Sequence, residues 1–320
     1  MRVWQVTTLG TPAEQTERPL PTPELGQARL KISAVGLNFA DLLMAEGKYQ
    51  EHPALPFIPG MEFAGTIDAL HPATTTALTP GTRVAGFASH GALADYITAP
   101  AANLIALPDS MSFGQAAAFQ IAYGTSHLAL AHKARLQPGE TLLVFGAAGG
   151  VGLTAVEIGK RMGARVIACA RSPEKLAIAR DAGADILIDS NTPDLKAALK
   201  ALGGVDVVYD PVGGPAFTAA LSACRPEGRL LTIGFASGQL PEIPANHLLV
   251  KNLSVMGLYW GGYLTFAPQV LTDSLRTLFE WFGQGGLRPH ISHDLAFADY
   301  PKGLELLRTR QATGKVVITL

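Results

Sequence analysis

From Thr141 to Ile233 the chain alternates short apolar runs with helical stretches. Thr141–Phe145 precedes a helix from Gly150, and Arg165–Ala170 precedes a helix from Pro173. Further apolar runs follow at Ile186–Asp189, Val205–Tyr209 and Arg229–Ile233. A strand joined to the next by a helix must lie parallel to it. The rhythm therefore predicts an α/β fold with a doubly wound parallel sheet.

The residues before this rhythm read differently. Ala28 to Val35 places Leu30, Ile32 and Ala34 on one face and Arg29, Lys31 and Ser33 on the other. That period of two is a half-buried strand. Gly81–Gly86 and Ala92–Ala99 read as further short strands, so the first ~110 residues form a β-rich unit. Ser112 is a candidate N-cap for one helix running to about Arg135, and Gln137-Pro138-Gly139 ends it in a turn. Toward the end, a helix is predicted around Asp273–Phe282 and a final strand at Lys315–Leu320.

Composition narrows the function classes. Hydrophobic residues make up 48% and charged residues 16%, which supports a large core and excludes disorder. Lys plus Arg number 25 against 26 Asp plus Glu, so no basic excess exists for nucleic acid or an acidic membrane surface. Cys169 and Cys224 are the two cysteines, which excludes a disulfide framework and a four-cysteine zinc site. No apolar run approaches the roughly 18 residues of a spanning helix. Met1 to Val6 lacks the apolar stretch of a secretory signal. A cytoplasmic protein is expected.

The strongest local motif is Gly146-Ala147-Ala148-Gly149-Gly150-Val151-Gly152, between an apolar strand and a helix. Its read-out is AxGxxG, with Ala147 at the first glycine position. Glycines let backbone amides approach a pyrophosphate, and the helix N-terminus favours negative charge. At the end of the next strand an NAD site carries Asp or Glu. Here Arg171, Ser172 and Lys175 stand there instead. A guanidinium and an ammonium suit a 2′-phosphate, so NADPH is favoured over NADH.

With these residues placed, the chain resembles the zinc-free medium-chain dehydrogenase/reductases, and most of all their NADPH:quinone oxidoreductase (zeta-crystallin-like) branch. The resemblance runs through Gly36–Asp41, Gly47-Lys48-Tyr49, Pro59–Gly65, Gly81–Val84, Gly146–Gly152, Asp210–Gly214 and Gly314–Val317. It implies a GroES-like β-rich domain in residues 1–118, a Rossmann NADPH-binding domain in 119–260, and a return to the first domain in 261–320. It also adds Thr125, Phe235, Leu258 and Asn38 to the cofactor-binding loop residues Ala147 to Gly152.

Zinc-bearing relatives place Cys and His where this chain has Asn38 and Met61, so no metal is expected. His290 and His293 are the only close histidine pair, read as a surface turn beside Pro289. Within the quinone reductase branch, members carry a tyrosine near the position of Leu43 and an aromatic ring or His near Ser190, and this chain departs at both. Without a Lewis acid the acceptor must take hydride readily, as quinones and activated enones or enals do. Asn38 can hydrogen-bond an acceptor carbonyl or the nicotinamide ribose. A proton follows from Tyr49 or from water; in the related enoyl thioester reductases a tyrosine at this motif position is the donor. Asp41 and Glu62 are expected to fix loops. Enoyl-CoA or enoyl thioester reduction, and a crystallin-like cofactor-binding protein with little turnover, are the competing readings. Leu253–Trp260 is apolar on both faces, and relatives pair such strands across a dimer, so a homodimer is expected.

Overall fold

A computed structural model describes all residues, 1–320. The apolar runs become six strands: β1 (Thr141–Phe145), β2 (Arg165–Ala170), β3 (Ile186–Asp189), β4 (Val205–Asp210), β5 (Cys224–Thr232) and β6 (Ser254–Gly257). They lie in the order β3-β2-β1-β4-β5-β6, every neighbouring pair parallel. This is the doubly wound order, whose direction reverses between β1 and β4. Strands covered on both faces read as continuous apolar runs, and all five residues of β1 are buried. Leu143, Phe145, Ile167, Cys169, Val208, Phe217 and Leu230 form one core. Local signals start the intervening helices: Ser172 and Asp194 cap two of them, and Pro173 and Pro215 stand at first positions.

The other unit is a seven-stranded sheet around the long strand Gln27–Leu37. Leu30, Ile32 and Ala34 are buried and Lys31 is exposed, as the alternation predicts. The last strand, Lys315–Thr319, lies antiparallel beside it, with Val316 opposite Leu37. Glu62–Leu70 flanks it on the other side.

The chain divides into one unit of Met1–Ile121 with Pro289–Leu320, and another of Ala122–Arg288. The expected boundary at 260/261 therefore differs from the packing. Residues 261–288 stay with the parallel sheet's unit, because helix Pro268–Gly283 buries Leu271, Leu275 and Leu278 there. His127 fastens it: its Nδ1 lies 2.7 Å from Ser274 Oγ, and its ring meets Trp281 edge-on.

Two local expectations change. The single helix from Ser112 to Arg135 is three pieces: Phe113–Ala117, Gln120–His127 and a π-helical stretch Leu128–Lys133. Ser112 does cap the first piece, with Gln115 closing the capping box. The second piece starts afresh because the Ile121 N–H donates to Glu62 Oε2 at 2.9 Å instead of to the preceding turn. The histidine pair is not a turn. His293 lies in strand Ile291–Ala296, and His290 Nε2 sits 3.1 Å from Thr313 Oγ1.

Candidate functional site

The glycine loop leaves β1 where the sheet reverses. Gly146 has φ +57°, a conformation that favours glycine, so the turn falls one residue before Ala147. A Cβ on Gly146 would meet Val212 and Pro211, so the loops after β1 and β4 lie against each other. A Cβ on Gly152 would sit 2.1 Å from the Gly146 carbonyl oxygen, so only glycine lets the helix Gly150–Arg161 lie this close. Gly149 is the N-cap of that helix and has no side chain to satisfy its first amides. These uncapped N–H groups and the helix dipole form an anion-binding end. Ala147 and Ala148 are buried; Gly150 and Val151 are half-buried.

A polar network the sequence reading missed supports this loop. Ser126 Oγ donates to the Val151 carbonyl at 2.9 Å and lies 2.8 Å from Thr154 Oγ1 and 2.9 Å from Tyr209 Oη. Ser126 and Tyr209 are fully buried, and burial pushes the Tyr209 phenol up. The signal was a tyrosine and two hydroxyls inside otherwise apolar elements. Thr125, the sequence-expected neighbour of Ser126, is also buried.

The tip of β2 carries Arg171, exposed, and Ser172, whose Oγ accepts from Lys175 N at 3.4 Å. Asn191, beyond β3, donates from Nδ2 to the Arg171 carbonyl at 3.4 Å. Glu174 shares this tip, and the Ser172 hydroxyl holds its carboxyl below the usual range. Phe235, after β5, is exposed and lies against Gly213; Leu258 is half-buried just after β6. The loop residues, the β2-tip residues, Phe235 and Leu258 thus all stand at the carboxyl ends of parallel strands, where such sheets bind ligands.

Tyr49 and Asn38 belong to the other unit, on either side of helix Phe39–Ala45. Gly47 (φ +69°) turns the chain, and Lys48 pairs with Glu46 at 3.0 Å. Tyr49 packs against the cluster of Val6, Met44, Phe57 and Met61. Burial first, then the nearby Glu51 and Asp41 charges, pushes its phenol up to about 12.

Asn38 is heavily engaged. Its Nδ2 donates to Gly36 O at 3.3 Å and to Glu62 Oε1 at 3.1 Å, and its Oδ1 accepts from Lys315 Nζ at 2.6 Å. Lys315 also bonds Glu62 Oε1, with both side chains buried. Two amide hydrogens and two acceptors leave no donor over for a ligand carbonyl. Asp41 Oδ2 accepts from Asn38 N at 2.8 Å, and burial above all raises its carboxyl to about 7. Glu62 and Lys315 both lie in stretches that carry the resemblance, but nothing local pairs residues so far apart.

No group of three or more His, Cys, Asp or Glu side chains is placed to hold a metal ion. At the two positions where zinc-bearing relatives have Cys and His, Asn38 is spent on Glu62 and Lys315, and Met61 packs in an apolar cluster. The residues present do not fit zinc.

Comparison with known proteins places this geometry. The family description "Alcohol dehydrogenase GroES-like domain" matches residues 24–109, and "Zinc-binding dehydrogenase" matches 150–279. A quinone oxidoreductase-like protein 2 homolog of Nematostella vectensis is 41% identical over 310 residues, 94% of this chain and 84% of that protein. The quinone oxidoreductase of Thermus thermophilus, solved alone and with NADPH, matches with a TM-score of 0.88 at 35% identity, covering 100% of both chains. The Escherichia coli quinone oxidoreductase complexed with NADPH matches with a TM-score of 0.91 at 27% identity, again over 100% of both.

Proposed function

Since this chain belongs to the medium-chain dehydrogenase/reductase family and is an oxidoreductase of that family, we propose that it is an NADPH-dependent reductase of quinones or activated enones and enals. The observation that supports this most is the β2 tip, where Arg171, Ser172 and Lys175 replace the carboxylate of an NAD site. The backbone of Ala147 to Gly152 would hold the pyrophosphate on uncapped helix amides, with Thr125, Phe235 and Leu258 lining the remainder. When bound, NADPH supplies a hydride from its nicotinamide ring.

The protein's own task is then chiefly to hold the acceptor and exclude alternatives, and proximity can supply much of the rate. Tyr49 Oη carries its proton throughout the neutral range, because its phenol is raised to about 12. It can deliver that proton to the acceptor, although a donor tuned closer to neutrality would be the stronger acid. Asn38, in this reading, serves by bracing Glu62 and Lys315. We place the protein in the cytoplasm, where the buried Cys169 and Cys224 stay free. We also propose a homodimer through the β6 edge.

The test is NADPH and NADH oxidation measured against a quinone, an enal and an enoyl-CoA. NADPH turnover with the first two is expected. Preference for enoyl-CoA would move the assignment to thioester reduction, and cofactor binding without turnover would make it a binding protein.

A further inference from the structure

The chain passes between its two units at Ile121/Ala122 and at Arg288/Pro289. One carboxylate reaches the chain beside both crossings. Glu157 stands on helix Gly150–Arg161, the helix that opens from the glycine loop. Its Oε2 accepts from Tyr123 Oη at 2.5 Å, and its Oε1 accepts from the Arg288 backbone N–H at 2.5 Å. Tyr123 lies two residues past the first crossing, and Arg288 is the last residue before the second.

Arg161, four residues on and therefore on the same helix face, holds the same outgoing segment. Its guanidinium lies 4.8 Å over Trp281 and donates to Gln284 Oε1 at 2.8 Å. A Cβ on Gly286 would sit 1.9 Å from Arg161 Nη1, so the backbone passes directly against the guanidinium. Burial raises the Glu157 carboxyl, and the Tyr123 and Arg288 bonds oppose that rise. A carboxylate placed there is costly unless its partners hold it, and here each oxygen has one.

We infer that Glu157 is a positioning residue that ties both connecting segments to the cofactor-binding helix. Anchoring of the helix N-terminus by a bound dinucleotide is thereby passed to Tyr123 and Arg288, where the chain leaves for the unit that holds Tyr49. The inference rests on the NADPH reading above.

Hydrogen exchange of peptides spanning 119–126 and 284–290, with and without NADPH, tests it. NADPH is expected to slow exchange in both regions of the wild type. Glu157→Ala should raise the exchange of the Arg288 amide about tenfold and abolish the NADPH-induced slowing. Glu157→Gln should keep most of it, because the amide can still accept from Arg288 N and donate to Tyr123 Oη. Tyr123→Phe cuts one arm only and guards against an Ala variant that fails to fold. It should lose the slowing at 119–126 and keep it at 284–290. Equal NADPH-induced slowing in all variants would overturn the inference, as would a wild type that binds NADPH with no slowing at either crossing. A wild type that binds no NADPH by calorimetry would instead sink the cofactor reading, and this coupling with it.

Discussion

Single side chains decide three outcomes. At the β2 tip, Arg171→Ala with Lys175→Ala removes the two cations. A charge-assisted hydrogen bond is worth ~1.5–3 kcal/mol, so NADPH affinity is expected to fall roughly 10- to 100-fold per contact, with NADH affinity almost unchanged. Calorimetric titration of both cofactors checks this; equal losses would make the two residues structural. Tyr49→Phe removes one hydroxyl from a packed ring. Little loss is expected with a quinone, whose reduced oxygen water can protonate, and a larger loss, toward roughly 10²-fold, with an enone. Steady-state kinetics on both acceptors decides it, and equal losses would leave the hydroxyl with no role in proton delivery. Asp41 concerns stability. Its carboxyl is raised from 3.8 to about 7 by burial, so between those values the unfolded chain releases a proton that the folded chain keeps. This group therefore withdraws stability as pH rises from about 4 to about 7, and the loss is complete above that. Asp41→Asn keeps an acceptor for Asn38 N without the charge. The variant is expected to gain on the order of 2–4 kcal/mol relative to wild type at pH 8 compared with pH 4, read from denaturant unfolding at both. A constant difference across that range would mean that Asp41 titrates normally.

At the scale of elements, the sequence exposed what depends on neighbours along the chain. The parallel strands were legible because burial on both faces leaves continuous apolar runs, and the strand at 27–37 because one exposed face leaves an alternation. The glycine loop was legible as a motif, and the structure supplies its reason in the contact between Gly152 and the Gly146 carbonyl. Gly152→Ala forces a methyl into that contact. It is expected to cost about 1–3 kcal/mol of stability and to weaken NADPH binding by displacing the helix amides, measured by thermal unfolding with and without cofactor. Full stability and affinity in this variant would mean the loop yields easily. What the sequence concealed is long-range. The break between Phe113–Ala117 and Gln120–His127 depends on Glu62, whose carboxylate arrives from another strand. The sequence showed a helix around Asp273–Phe282, and only packing shows that its buried face belongs to the parallel sheet's unit. The Glu62–Lys315 pair joins the second strand of a sheet pairing to the last strand of the chain. Asn38 was legible as a polar residue in a motif, but its commitment to that pair was not.

At the scale of the whole molecule, the parallel sheet is open at both ends, at β3 and at β6. β6 is its last strand, so one side of its backbone has no strand partner within the chain. Open strand edges are a liability that proteins cover or use. Helix Ala245–Lys251, just before it, buries no residue, and Leu249 and Val250 are 78% and 73% exposed. Leu240 is 73% exposed close by in sequence. Exposed apolar side chains in the segment that leads into an open edge strand favour a partner that covers both, and a second copy pairing β6 with β6 would do so by a two-fold axis. Light scattering at micromolar concentration is expected to give twice the 33.6 kDa chain mass. Leu249→Glu with Val250→Glu introduces charge at positions already open to solvent, so each chain should still fold. The double variant is expected to run at the mass of one chain with its circular dichroism intact. A wild type of single-chain mass would refute the dimer outright. A variant that stays dimeric would move the interface away from this helix and edge.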